Sequence, residues 1–147
     1  MAKHNDHIGD LEKYLAEKGI RFTDQRKLVF DIIRKSKKPI SAYDVLAEMA
    51  KVMDNPKPPT AYRAIDFLIE NGLVHKIESL NAFVSCHAGH NHLGSQFMVC
   101  DDCGNVEEVH LCDVPAPMQK KISENGFQLK RWNAELHGTC RDCKTAS

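Results

Sequence analysis

The sequence predicts an α+β fold in two parts, a helical unit that ends in a β-hairpin and a smaller α/β unit. Apolar residues recur at helical spacing over residues 10–72, where turn and cap residues divide them into four helices. The next segment, LVHKIESLNAFVSC, holds two short runs of branched and aromatic residues around a polar break, which is typical of a hairpin. Helices followed by a hairpin indicate a winged helix-turn-helix domain.

Local signals place the four helices. We predict them at residues 10–19, at residues 24–35, from Ser41 onward, and over TAYRAIDFLIENG up to Gly72. Thr23 is the predicted N-cap of the second helix, and Ser41 with Asp44 forms a capping-box-like pair at the start of the third. The NPKPP segment breaks the chain before the fourth helix, because proline lacks an N–H and has a fixed φ.

The second half of the chain reads as a small α/β unit. Strands are predicted over QFMVC, NVEEVHL and FQLKRWNAELHG, with a helix from about Pro115 to Asn125. The boundary falls in the histidine-rich segment between the hairpin and QFMVC. We therefore predict a winged-helix domain at residues 1–84, a hinge at 85–94 and a second domain at 95–147.

Charge and composition restrict the class of protein only weakly. The chain of 147 residues has 20 basic and 20 acidic residues, although seven Lys and Arg residues against two Asp lie between Arg21 and Lys38. This stretch could meet phosphate or form a solvated helix face. No apolar run approaches the roughly 20 residues of a membrane span, and the N-terminus lacks a signal-peptide core. We expect a cytoplasmic protein, in which paired cysteines hold metal more often than they form disulfides.

Two CxxC pairs predict a structural zinc site. They are Cys100 with Cys103 and Cys140 with Cys143. A CxxC turn lets two thiolates reach one ion, and two such pairs complete a tetrahedral site. A redox dithiol needs a single pair, usually at the start of a helix after a strand. Four protein ligands leave no position for substrate, and the PCxxC pattern of zinc deaminases is absent because Val99 precedes Cys100. We predict no enzymatic activity.

Further ligands near the hinge predict a second metal site. A symmetric hairpin turn centred on Leu80 and Asn81 would pair His75 with Cys86, with Cβ atoms about 4.5–5.5 Å apart. Both residues share a face with apolar residues and could instead belong to the core. The chain also offers hinge histidines and two strand carboxylates: His87, His90, His92, Glu107 and Glu108. A mixed nitrogen, sulfur and oxygen set suits zinc better than magnesium or calcium.

Several motifs occur in order between about residue 10 and residue 143. They are ISAYDVLAEMAK, PPTAYRAIDFLIENGLVHKIES, CH…H…FMVCDDCGNVEEV and GFQLKRWNAELHGTCRDC. In this order they resemble the ferric uptake regulator family of bacterial metal-sensing repressors, and most closely its zinc uptake regulator branch. The resemblance implies a homodimer with an N-terminal DNA-binding domain and a C-terminal dimerisation domain.

The resemblance also implies metal ligands. It assigns the four CxxC cysteines to structural zinc and assigns His75, Cys86, His92 and Glu108 to regulatory zinc, with His90 as the alternate hinge ligand. About two zinc ions per chain follow. Iron-type members usually carry a histidine where this chain has Trp132, which weighs against an iron or peroxide sensor.

The fourth helix is the expected recognition helix, with Tyr62 and Arg63 near the end that enters the major groove. Arginine can pair with guanine through two hydrogen bonds, and tyrosine can contact a thymine methyl group or a backbone phosphate. Four further residues are candidate phosphate contacts: Arg26, Tyr43, Lys57 and Thr60. The resemblance supports Tyr43 and Arg63 most.

These expectations together predict a zinc-responsive transcriptional repressor that binds operator DNA as a zinc-loaded homodimer and controls zinc-uptake genes. The alternative is a repressor of the same family that senses iron, manganese or peroxide. We expect no membrane partner and no small-molecule substrate besides metal.

Overall fold

The computed structural model describes residues 6–86, 94–109, 111 and 113–145, with side chains from residue 9 onward. The first half holds four α-helices and a two-stranded hairpin: α1 Asp6–Glu17, α2 Asp24–Lys35, α3 Ala42–Met49, α4 Pro58–Glu70, β1 Val74–Ile77 and β2 Ala82–Ser85. The second half holds three strands and two helices: β3 Gln96–Cys100, β4 Val106–Glu108, α5 Ala116–Glu124, β5 Ala134–Gly138 and α6 Arg141–Thr145. The predicted α+β class is confirmed.

The local signals place the helices of the first half well. Helix α2 matches its predicted bounds, and Thr23 Oγ1 accepts a hydrogen bond from the Arg26 N–H at 3.3 Å. The Asp44 N–H likewise donates to Ser41 Oγ at 3.1 Å and caps α3. The predicted bounds of α1 were too late, since the helix already includes Asp6. Helix α4 begins at Pro58, two residues before the predicted start at Thr60, because proline at the first helical position has no N–H that needs an acceptor.

The apolar faces of α1 to α4 and the hairpin form one core. Its fully buried members include Leu15, Val29, Val45, Met49 and Leu68. The hairpin joins this core through Phe83, which exchanges two backbone hydrogen bonds with Ile40 at 2.8 and 3.0 Å. The hairpin, here called the wing, is therefore anchored beside α2 and α4, and its strands move with the helices.

The hairpin register differs from the predicted one. His75 lies opposite Val84 and Ile77 lies opposite Ala82, whereas the symmetric turn would have paired His75 with Cys86. The turn is longer because a 3₁₀ turn spans Glu78–Leu80 and Asn81 adopts a positive φ of 46°. The register is displaced by two residues. A displacement of two keeps every side chain on its predicted face, so Cys86 becomes a diagonal neighbour of His75.

The second half forms a three-stranded sheet in the order β4-β3-β5. β3 is antiparallel to β4 and parallel to β5. The predicted strand over FQLKRWNAELHG was too long, since only its second half forms β5. NVEEVHL was also too long, since β4 has three residues. The short helix α6 was not predicted.

The two halves meet where the wing contacts this sheet. Ile77 of β1 packs with Phe97 and Val99 of β3 in a second buried cluster, with Val84 and Val106 at its edge. Side chains alternate between the two faces of a strand, so Phe97 and Val99 define the sheet face toward the wing. Among the described residues, no helix has the length and apolar character needed to cross a membrane.

Candidate metal centres and nucleic-acid interface

The four CxxC sulfurs come together at one end of the C-terminal sheet. The Sγ atoms of Cys100, Cys103, Cys140 and Cys143 all lie within 4.8 Å of one another. Cys103 Sγ and Cys140 Sγ are 3.8 Å apart. A tetrahedral zinc ion with Zn–S bonds of about 2.3 Å requires sulfurs about 3.8 Å apart. The donor set and its spacing therefore fit zinc.

Strand pairing explains why pairs so distant in sequence converge. β3 and β5 are parallel neighbours, and Cys100 at the end of β3 lies opposite Gly138 at the end of β5. Both strands therefore end on the same side of the sheet, where the Asp101 N–H donates to the Gly138 carbonyl at 2.8 Å. Gly104 closes the first turn at a φ of 74°, a conformation that glycine adopts without steric cost.

The electrostatics of the sulfur cluster call for a cation. The Cys140 N–H donates to Cys100 Sγ at 3.3 Å. This bond, with further backbone hydrogen bonds from Cys103 and Asp102, lowers the pKa of Cys100 to about 6. The pKa of Cys143 is shifted the other way. The neighbouring Cys140 and Cys103 sulfurs raise it well above the ordinary value for a thiol. Like charges at this spacing disfavour further ionisation. A bound cation removes that conflict.

A second ligand group joins the wing to the C-terminal sheet. The ligand atoms of His75 on β1, Cys86 after β2 and Glu108 on β4 lie within 4.8 Å of one another, and all three residues are half-buried. The Cys86 N–H donates to the Leu73 carbonyl at 2.9 Å and holds this end of the hairpin. The three donors come from separate elements, so an ion among them would bridge the two halves.

The structure separates the two candidate carboxylates. Glu107 lies opposite Met98 on the exposed face of the sheet, while Glu108 lies opposite Phe97 and joins His75 and Cys86. One nitrogen, one sulfur and one oxygen donor form a borderline-soft set that fits zinc. The predicted hinge ligands His92 and His90, with neighbouring His87, lie outside the described residues.

Candidate DNA-binding residues lie mainly on the surface of the winged-helix half. Tyr43 is 80% exposed and Tyr62 is 54% exposed, and Arg63 and Lys57 are also exposed. Thr60 is half-buried. The opposite face of α4 is buried through four residues: Ala61, Ala64, Ile65 and Leu68. Helix α4 thus presents its tyrosine and arginine away from the core, as a recognition helix requires.

Arg26 is engaged within the domain. Its guanidinium lies over the Phe67 ring at 3.8 Å from the centroid, and Nη1 donates to the Arg21 carbonyl at 2.5 Å. A phosphate contact by Arg26 would have to share the guanidinium with these partners. Tyr43, Lys57 and Arg63 are more accessible candidates.

Trp132 occupies a buried position beside the sheet. Its side chain is 9% exposed, and its carbonyl accepts a hydrogen bond from Gln96 Nε2 at 3.1 Å. A Cβ on Gly94 would lie 1.9 Å from that carbonyl oxygen, so only glycine allows this close approach. An indole offers no metal-ligating lone pair, and this position therefore supplies no metal ligand.

Two polar contacts between the two halves were not predicted from the sequence. Lys38 Nζ donates to the Cys103 carbonyl at 3.3 Å. The Ser79 N–H, at the wing turn, donates to Glu135 Oε1 at 3.2 Å. Single charged residues in loops and short strands follow no periodicity, so a pattern search finds no signal for them.

The outer face of the C-terminal sheet is apolar and exposed. Met98 lies opposite Leu136 across β3 and β5, and these side chains are 42% and 59% exposed. Helix α5 buries no residue in this chain, and Met118 and Phe127 are also exposed. An exposed apolar pair such as Met98 and Leu136 on one sheet face is typical of protein–protein interfaces.

Comparisons with known proteins agree with this geometry. The zinc uptake regulation protein of Escherichia coli strain K12 is 38% identical over 138 residues, which cover 92% of this chain and 80% of that protein. A solved structure of a zinc uptake regulator complexed with zinc and DNA has a TM-score of 0.90 at 36% identity, covering 99% of this chain and 98% of the other.

Two solved forms of a further relative, XcZur, differ in their likeness to this chain. The holo form has a TM-score of 0.84 and covers 96% of this chain and 99% of its own. The apo form has a TM-score of 0.53 and covers 95% and 97%, and both are 36% identical to this chain. The model of the ferric uptake regulator family matches residues 17–137. The chain belongs to the ferric uptake regulator family.

Proposed function

We propose that this protein is a zinc-responsive transcriptional repressor that binds operator DNA as a zinc-loaded homodimer and controls zinc-uptake genes. The observation that carries the proposal is the grouping of His75, Cys86 and Glu108 across the two halves of the chain. The arrangement of the halves supports it, since it resembles the holo form of a zinc uptake regulator more than the apo form. The zinc and DNA in the solved structure of a related zinc uptake regulator support zinc and DNA as the binding partners of this protein.

Two zinc sites per chain serve different purposes in this proposal. Structural zinc is held by Cys100, Cys103, Cys140 and Cys143, and it stabilises a sheet with a small buried core. Regulatory zinc is held by His75, Cys86, Glu108 and the hinge histidine His92, with His90 as the alternate. The domain division at residues 84 and 95, with the hinge between, belongs to the same proposal. A cytoplasmic location belongs to the same proposal, because cysteines that hold zinc and a DNA partner both fit that compartment.

Control of DNA binding follows from the arrangement of the halves. Zinc supplies a cross-link between the wing and the sheet. The wing moves with α4, and the exposed outer face around Met98 and Leu136 packs against a second copy of the chain. The position of the wing on the sheet therefore sets the separation of two recognition helices. Metal and DNA each favour this state, so each raises the affinity for the other.

A repressor of the same family that senses iron, manganese or peroxide is the alternative. His75, Cys86 and Glu108 form the bridging ligand group between the two halves. Its cysteine favours zinc, because thiolate is a soft ligand. The buried indole of Trp132 removes one histidine that iron-type members usually carry. Metal selectivity in a DNA-binding assay separates the two functions.

The proposed function predicts that operator affinity rises with a second zinc ion. Fluorescence anisotropy of a zinc-uptake promoter duplex should be measured across buffered free zinc, with a scrambled duplex and with iron(II) or manganese(II) under anaerobic conditions. We expect at least about tenfold tighter binding once the second zinc binds, while one zinc per chain stays bound throughout. Equal binding at all zinc concentrations contradicts the proposal, and tighter binding with iron assigns the protein to the alternative.

Replacement of Arg63 by alanine should weaken operator binding by about 5- to 150-fold, since an arginine that reads a base contributes about 1–3 kcal/mol. Zinc content and dimerisation should stay unchanged, because Arg63 is exposed on α4 and belongs to neither proposed ligand set. Lys120→Ala, on exposed α5, is the charge-matched control. Similar losses in both variants would show that α4 contributes charge alone.

A further inference from the structure

We propose that Glu135 is a positioning residue that fastens the tip of the wing to the C-terminal sheet and connects it to the first cysteine turn. This contact lies outside the bridging ligand group of His75, Cys86 and Glu108. The inference rests on the proposed function for its consequence, a lower zinc concentration for DNA binding. Its structural content is independent of that function.

Both oxygens of the Glu135 carboxylate have a partner. Oε1 accepts from the Ser79 N–H at 3.2 Å, and Oε2 lies 3.1 Å from His137 Nε2. The other ring nitrogen of His137 lies 3.0 Å from Asp101 Oδ1. In its protonated form the imidazole donates from both nitrogens. A continuous polar chain thus runs from the wing turn to the loop between Cys100 and Cys103.

The sheet geometry directs these side chains toward the wing. Glu135 lies opposite Phe97, and His137 lies opposite Val99, in the parallel pairing of β3 with β5. Phe97 and Val99 pack against Ile77 of the wing. The side chains at 135 and 137 share that face, so they border the apolar contact on its polar side.

Charge supports the same contact. Partial burial opposes ionisation of Glu135, but hydrogen bonds from Ser79 and His137 outweigh it and lower the pKa of this carboxyl. Hydrogen bonds to Asp101 and Glu135 raise the pKa of His137. The side chain of Glu135 is 21% exposed. An ionised and partly shielded acceptor binds a backbone N–H more strongly than a solvated one does.

A directional contact at the wing tip complements the apolar contact beneath it. Burial of Ile77 against Phe97 and Val99 is non-directional and tolerates small rotations of the wing. The Ser79–Glu135 bond fixes the tip, and the Lys38–Cys103 bond fixes a second point on the same half. Both end on the sheet or on its cysteine turn. Loss of the tip contact should lower the population of the DNA-competent arrangement, so more zinc is needed to restore it.

The test compares full-length, zinc-loaded protein with its Glu135→Ala variant. We expect the free-zinc midpoint for operator binding to rise about tenfold or more, as the loss of one hydrogen bond to a charged group predicts. Operator affinity at saturating zinc should return to the wild-type value, and one tightly bound zinc should remain. Glu135→Gln should restore part of the midpoint, because its amide oxygen still accepts from Ser79. Glu107→Ala, on the exposed face of β4, is the matched control.

Hydrogen exchange of the zinc-loaded protein without DNA gives a second readout. The backbone amides of the turn that includes Ser79 should exchange faster in Glu135→Ala than in the wild type. Their exchange should be unchanged in Glu107→Ala. An unchanged midpoint with unchanged exchange would overturn the inference, and so would loss of the tightly bound zinc, which would make Glu135 a residue of general stability. If the wild type lacks zinc-dependent DNA binding, the proposed function fails, while the exchange result still decides whether Glu135 holds the wing.

Discussion

Replacement of Cys103 by serine should release the tightly bound zinc and unfold the C-terminal half of the chain. The described apolar cluster of this half is small, with Phe97 and Val99 packed against Ile77 of the wing. Small domains of this kind depend on a metal, and structural zinc in zinc-finger peptides contributes about 10–16 kcal/mol. We expect a loss of stability of more than about 4 kcal/mol, which is exceptional for one substitution.

Dimerisation should fail together with the fold. The exposed apolar residues Met98 and Leu136 lie on β3 and β5, the two strands that lead into the cysteine turns. If the sulfurs lose their ion, the ends of these strands separate and the outer face loses its shape. DNA binding should then be lost at every zinc concentration, because the two recognition helices are no longer held in one assembly.

Zinc content after dialysis, sedimentation velocity and thermal unfolding test this prediction. Cys112→Ser is the matched control, since the proposed ligand sets for the two zinc ions do not include this thiol. We expect the control to keep one tightly bound zinc and to stay dimeric. A Cys103→Ser protein that retains zinc, dimer and melting temperature would refute the four-cysteine assignment.

Local signals were sufficient to locate helices α2, α3 and α4, although not the start of α1. Thr23 and Ser41 accept hydrogen bonds from backbone N–H groups near the start of α2 and α3, and Pro58 begins α4. Each signal acts within one helical turn, so no tertiary information is needed. The CxxC spacing predicted that four sulfurs meet for a similar reason, because zinc chemistry limits the distances between them.

Tertiary contacts determine the structural features that the sequence pattern did not predict. The segment before β5 resembles a strand in composition, but the Trp132 carbonyl bonds to Gln96 and lies against Gly94. That close approach depends on a residue 38 positions earlier in the sequence. The parallel pairing of β3 with β5 also escaped prediction, since nothing in either strand specifies its neighbour.

The hairpin shows why a wrong register left the metal prediction usable. The 3₁₀ turn and the positive φ of Asn81 moved the pairing by two residues, and His75 faces Val84 instead of Cys86. Side chains on a strand alternate with a period of two, so His75 and Cys86 stayed on one face. A displacement of one residue would have put one of them on the other side.

Replacement of Glu108 by glutamine should abolish operator binding at zinc concentrations that saturate the wild type. Loss of a residue that only supports a metal ligand typically costs 10–100-fold in metal affinity, so loss of a ligand should weaken the second zinc by more than about 100-fold. The tightly bound zinc should remain, because the four cysteines form a separate group. Zinc titrations followed by anisotropy and by metal analysis measure both effects.

Glu107→Gln is a control of unusual quality for this prediction. Both variants remove one negative charge from the same short strand, and Glu107 lies on the opposite face of the sheet from the ligand group. Loss of an acidic charge alone should strengthen attraction to DNA phosphates slightly. A ligand role for Glu108 therefore predicts opposite signs, a large loss of operator affinity for Glu108→Gln and a slight gain for Glu107→Gln. Equal effects in the two variants would remove Glu108 from the regulatory site, leaving His75, Cys86 and the hinge histidines to hold the ion.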